Sequence, residues 1–281
     1  MKRITLVVGL LAGLLATSCI EKNRLPDEIK FETNFDEARA AAEKSDKDII
    51  IDFYTDWCRW CDSLDANTYS DSLVRTLTSD IIFVKINAEE DTAIAQQFGV
   101  SGYPTVVIAK PNGEEIDRIW GYLPPTEFYN QVQLYLQGKE TLEDYLSRLE
   151  DEPENLDYLM TIGEKYASRA ADDKAIEFYN KVADLDQGNR RGYASRALAA
   201  IHDTQSRAGD YRAARQTCMK ILRMYPDSPE ADDAAALLGY YASKEGDTVE
   251  ALKLYKGYLK MNPDSENAKW VKKRVADLEG E

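Results

Sequence analysis

The stretch IIIDFYTDWCRWC, residues 49–61, constrains the fold more than any other part of the chain. Its first half is β-branched and aromatic, with apolar side chains at successive positions. That pattern reads as a strand buried on both faces, hence a central strand of a covered sheet. Its second half delivers Cys58 and Cys61, three positions apart, in a chain with four cysteines. Such a pair can bind a metal, staple a fold or exchange electrons. A structural zinc needs four ligands, and Cys218 and the single His, His202, stand far along the chain, so no metal is expected. One close pair in a chain of 281 residues is not a disulfide scaffold. Electron exchange fits best. Cys58 is expected to leave the strand and begin a helix, where unpaired backbone N–H groups stabilise a thiolate. Cys61 then sits one helical turn behind it, placed to resolve a mixed disulfide.

Around this strand the expected order is helix, strand, helix, strand, helix, strand, strand, helix. Asn34 or Thr33 is expected to cap a helix through NFDEARAAAEKSDKD, with Glu37 three residues after Asn34. DSLDANTYSDSLVRTLTS reads as a helix, a break and a second short helix. IIFVKINAEE reads as a strand and DTAIAQQFGV as a helix ending near Gly99. PTVVIAKPNGEEIDRIWGY gives two strands joined at Pro111-Asn112-Gly113, and PTEFYNQVQLYLQG an amphipathic helix. The result is an α/β domain over residues 31–138, a mixed sheet with helices on both faces.

From about Thr141 the strands stop. ADDKAIEFYNKVADLDQGN, AGDYRAARQTCMKILRMYPDS and EGDTVEALKLYKGYLKMNPDS align, with Ala175, Ala214 and Ala251 in one place at intervals of 39 and 37 residues. Pro226 and Pro263 stop the second and third of these helices. LDYLMTIGEKYASR, GYASRALAAIHDTQSR and ADDAAALLGYYASK supply first helices, and WVKKRVADLEG a capping helix. This resembles tetratricopeptide repeats, in which a small residue on the second helix lets its partner approach. Residues 139–281 are therefore expected to form an all-α, tetratricopeptide-like helical repeat domain. Cys218 is expected to pack as a buried apolar residue and His202 to be structural or exposed.

The N-terminus has a basic start, MKR, then the apolar run ITLVVGLLAGLLA, then TSC. This is the layout of an export signal, and the run is short for a membrane span. Leu15 to Cys19 resembles a bacterial lipoprotein signal. The resemblance implies a signal peptide over residues 1–18, lipid on Cys19 and a tether over 19–30 that holds the body to a membrane of the bacterial cell envelope, facing the periplasm. The formal charge of -15 argues against nucleic-acid binding, which needs a basic footprint.

The motif IDFYTDWCRWC, followed 43 residues after Cys61 by the proline of GYPT, resembles the thioredoxin family. More narrowly, it is similar to the thioredoxin-like C-terminal domain of the membrane reductant conductor of bacterial envelopes. The resemblance runs from about residue 29 to 138. It implies that Asp52, six before Cys58, is a buried acid assisting proton transfer at Cys61, where burial raises its pKa. It implies that Trp57 shields the dithiol. Pro104 becomes a cis proline that faces the dithiol and helps hold an extended substrate strand. Arg59 and Trp60 replace the family's common Gly-Pro, and the charge of Arg59 favours a thiolate. Tyr103 is bulkier than usual, narrowing the groove or stacking on a substrate. Asp56 is either a surface charge or a perturbation of the site.

The function implied is an exported thiol–disulfide oxidoreductase that reduces or isomerises protein disulfides through Cys58 and Cys61. No cofactor is implied. Its partners would be protein thiols or disulfides, a membrane electron donor, and a client or partner protein held by the repeats. The alternative is a noncatalytic lipoprotein adaptor whose repeats mediate protein–protein interaction. A nutrient-binding lipoprotein would share the repeats and the anchor but leaves the dithiol unexplained.

Overall fold

A computed structural model describes residues 26–280, so the expected signal peptide and Cys19 lie outside the described residues. The chain opens with β1 (Phe31–Glu32), α1 (Phe35–Ser45) and β2 (Asp48–Tyr54). Asn34 caps α1 by accepting a hydrogen bond from the Glu37 backbone N–H at 3.0 Å. β1 has no counterpart in the sequence reading, because two residues carry no alternation. After the cysteines, α2 (Arg59–Ser63) runs into a π-helical stretch, Leu64–Tyr69. A break follows, then α3 (Ser72–Arg75), β3 (Ile81–Asn87), α4 (Thr92–Gln97), β4 (Thr105–Ala109), β5 (Glu115–Trp120) and α5 (Pro125–Leu136).

The five strands lie in the order β1-β3-β2-β4-β5. β1 and β2 run parallel to β3, while β4 is antiparallel to both β2 and β5. β2 is therefore central. Its side chains alternate between two apolar layers. Ile49, Ile51 and Phe53 pack with Phe35, Ala38 and Ala42 of α1 and with Ala95 and Phe98. Ile50 packs on the opposite face with Leu64, Val74, Phe128 and Val132. Asp52, two residues on from Ile50, points to that second face.

The rest is helical: α6 (Leu142–Asp151), then the pairs α7 (Leu156–Ala167) with α8 (Asp172–Leu185), α9 (Tyr193–Arg207) with α10 (Tyr211–Met224), α11 (Glu230–Lys244) with α12 (Thr248–Met261), and a terminal α13 (Ala268–Glu279). α6 has no counterpart in the repeat alignment. Ala175, Ala214 and Ala251 are fully buried. The positions around them interlock by size. A Cβ on Gly163 would lie 2.4 Å from the Tyr179 ring, and one on Gly239 would lie 2.5 Å from the Tyr255 ring. The middle pair exchanges the sizes, with His202 at the glycine position and Cys218 at the tyrosine position. His202 is buried, its Nδ1 3.2 Å from the Tyr241 hydroxyl. Burial lowers its pKa, with Asp203 opposing, which favours the neutral ring.

The two regions meet through buried charge. Asp117 of β5 is fully buried. Its Oδ1 accepts from Arg169 at 2.8 Å, and its Oδ2 accepts from Lys165 at 2.9 Å and from the Leu142 backbone at 2.6 Å. Arg118 donates to the carbonyls of Ser168 and Phe98, both at 2.7 Å. Gly99, with φ at +58°, lies under the Arg169 carbonyl, where a Cβ would be 2.3 Å from the oxygen. Among the described residues no helix is long and apolar enough to cross a membrane.

Candidate functional site

β2 ends at Tyr54, and Cys58 caps the helix that follows. Cys58 and Cys61 form a disulfide with their Cα atoms 5.2 Å apart. The Cys61 backbone N–H donates to Cys58 Sγ at 3.1 Å. The same donor would face a Cys58 thiolate, which helix-end N–H groups stabilise. Both cysteines are buried, at 5% and 3% exposed.

The surface around the pair is aromatic. Trp57 is 66% and Trp60 62% exposed. Trp57 donates from Nε1 to Glu89 at 3.0 Å, and its ring meets the edge of Tyr103 at 5.8 Å. Trp60 stacks on Tyr122 at 5.6 Å. The Tyr103–Pro104 peptide is cis, and Pro104 itself is buried. Arg59 is exposed on the first turn of α2. Asp56 is also exposed and accepts from Asn87 at 3.3 Å, which makes it a surface charge tied to β3.

Asp52 is 1% exposed, and its Oδ1 is buried without a hydrogen-bond partner among the described residues. Register places it beside Lys85 of β3, whose Nζ lies 3.8 Å from Oδ2. Lys85 is not free to neutralise it. It makes a bidentate hydrogen bond to Asp65, which stands on the π-helical stretch. Burial raises the Asp52 pKa to about 7, Lys85 pulls it down, and Asp65 pushes it up again. The result is a carboxyl that titrates near neutrality, suited to accepting a proton.

Lys85, Asp65, Glu89 and Tyr122 were absent from the sequence reading. Lys85 carried a signal, as the one charge within the apolar run IIFVKIN. Asp65 and Tyr122 carried none, because each meets its partner only through the tertiary fold.

Residues 29–133 match the thioredoxin family model, and residues 195–272 match the family model described as outer membrane lipoprotein. The thiol:disulfide interchange protein DsbD of Pectobacterium atrosepticum is 31% identical over 108 residues, covering 36% of this chain and 19% of that relative. The chloroplastic thioredoxin Y of Oryza sativa subsp. japonica is 33% identical over 105 residues, covering 37% of this chain and 59% of the relative. The chain thus spans less than two thirds of either relative, and about a fifth of the first. A solved structure of a putative disulphide-isomerase from Bacteroides thetaiotaomicron shares 29% identity, covering 39% of this chain and 94% of its own, with a TM-score of 0.36. The chain is a thioredoxin-like α/β fold followed by stacked helical repeats. Its Cys58–Cys61 disulfide in that fold supports redox activity of the thiol–disulfide type.

Proposed function

We propose that the protein is an envelope thiol–disulfide oxidoreductase that reduces or isomerises disulfides in client proteins. The observation that carries the reading is the Cys58–Cys61 pair at the N-terminus of α2, in a fold that also buries Asp52. The reduced Cys58 thiolate attacks one sulfur of a client disulfide and releases the other as a thiolate. Cys61 gives its proton to Asp52 and attacks Cys58 Sγ. The client's second sulfur leaves, the client has gained two electrons, and the local disulfide has formed. A reduced dithiol on a membrane donor restores the pair. Trp57, Arg59, Trp60 and Tyr103 contact the client, and Pro104 holds its extended strand. The redox domain spans residues 31–138. The repeats, over 139–281, bind a client or partner protein and raise its local concentration. Lipid on Cys19 and release of residues 1–18 hold the body on the envelope, a placement favoured by the match to the lipoprotein family.

Equilibration of Cys58 and Cys61 with a glutathione buffer, read by mass after alkylation with C61S as control, tests this. A potential of about -270 mV supports a reductant, and one of about -120 mV would make the protein an oxidant. No reversible exchange would sink the enzyme reading and leave the repeats as an adaptor.

A further inference from the structure

The repeat domain reaches the redox site. Trp120, the last residue of β5, pairs with Thr105, the residue after Pro104. The next residue, Gly121, donates its N–H to the Pro104 carbonyl at 2.9 Å. The Trp120 indole lies over the loop before Pro104, where a Cβ on Gly102 would be 2.8 Å from Nε1. Its other contact is with the repeats. The Arg207 guanidinium, at the C-terminal end of α9, stands 5.0 Å over the ring. Trp120 is 41% exposed and Arg207 is exposed.

Arg207 donates to Thr204 Oγ1 at 3.2 Å and has no ion pair with a described residue. Asp203, one turn earlier on α9, turns its Oδ1 to His202 Nδ1 at 3.3 Å. An unpaired guanidinium stacked on an exposed indole matches a carboxylate arriving from outside.

We propose that Trp120 and Arg207 form a client-recognition shelf beside the dithiol, which takes a carboxylate side chain of an extended polypeptide near its reactive cysteine. The proposal rests on the redox reading above. One strand spacing, about 5 Å, separates Pro104 from Trp120, and the guanidinium stands a similar distance beyond. About three residues of extended chain cover that span. The repeat domain then sets which disulfides the pair attacks, as well as which proteins come near.

The test uses the reduced full chain and peptides with one cysteine blocked as a thionitrobenzoate mixed disulfide. Glu, Gln or Lys is placed three residues from the cysteine, on either side. The wild type should react about 5–10-fold faster with the best-placed Glu peptide than with its Lys counterpart. R207E should invert that ratio. R223E, which changes an exposed arginine elsewhere on the repeats, should not. If R207E leaves the ratio unchanged, or R223E shifts it equally, the shelf is overturned, because bulk charge then explains any preference. If the wild type reduces none of the peptides and no glutathione disulfide, the redox reading itself fails.

Discussion

Lys165 of α7 donates to the buried Oδ2 of Asp117 in β5 at 2.9 Å, so a repeat helix and the edge strand of the sheet share one ion pair. Burial works to raise the Asp117 pKa, but Arg169 and Lys165 outweigh it and hold the carboxyl below the usual range. Burial lowers the Lys165 pKa. Asp117 stays ionised because Lys165 and Arg169 both face it, and Glu115 shares Arg169 and Arg118 beside it. Asp117→Asn keeps the shape and leaves the buried Lys165 without an ion pair, while Arg169 keeps Glu115 at 2.7 Å. We expect a loss of about 3–5 kcal/mol in urea unfolding. A loss below about 1 kcal/mol would show that the pair does not hold the junction. The depressed folded pKa makes this stability present above the unfolded value of about 3.9, and lost as pH falls through the folded value.

Asp52 predicts the opposite slope. Its folded pKa is raised to about 7, so the folded state holds a proton that the unfolded state has released. The penalty is absent below about pH 4, grows as pH rises toward 7 and is complete above it. D52N should therefore gain stability relative to wild type with rising pH, by on the order of 3 kcal/mol between pH 4 and pH 8. The same variant should slow release of the client from the mixed disulfide. A stability difference that is flat with pH would rule out the raised pKa.

The middle repeat makes a third case. His202 and Cys218 occupy the positions at which Gly163 meets Tyr179 and Gly239 meets Tyr255 in the flanking pairs. Cys218→Tyr alone overpacks this site and should cost about 1–3 kcal/mol. Adding His202→Gly should recover most of that loss. A double-mutant cycle with no coupling would show that the two positions do not share a space.

Cys218 should also be chemically silent. It is fully buried, and burial pushes its thiol pKa up to about 12. After reduction, iodoacetamide at pH 8 should label the peptides bearing Cys58 and Cys61 well before the peptide bearing Cys218. Equal labelling of the folded chain would contradict the packing of α9 against α10.

Sequence signals that are local were legible. The β-branched run ending in the cysteines forms the central strand, and the spaced alanines stand at buried helix contacts. The two-residue β1 and the π-helical stretch left no periodic trace. The junction was harder still. Asp117 and Lys165 are 48 residues apart, and each reads alone as a solvated charge. Their pairing becomes visible only when β5 and α7 are brought together. The stack of Trp60 on Tyr122 was hidden for the same reason.

The buried carboxylate at the junction has one more consequence. β5 is a terminal strand, and an open edge invites a strand from another molecule. Here the Arg118 backbone N–H donates to Asp117 Oδ1 at 2.7 Å, and the Arg118 carbonyl accepts from the Tyr135 hydroxyl at 3.2 Å. The opposite edge, β1, is two residues long, too short to serve as a template. The described sheet thus offers an incoming unfolded chain little backbone on which to aggregate.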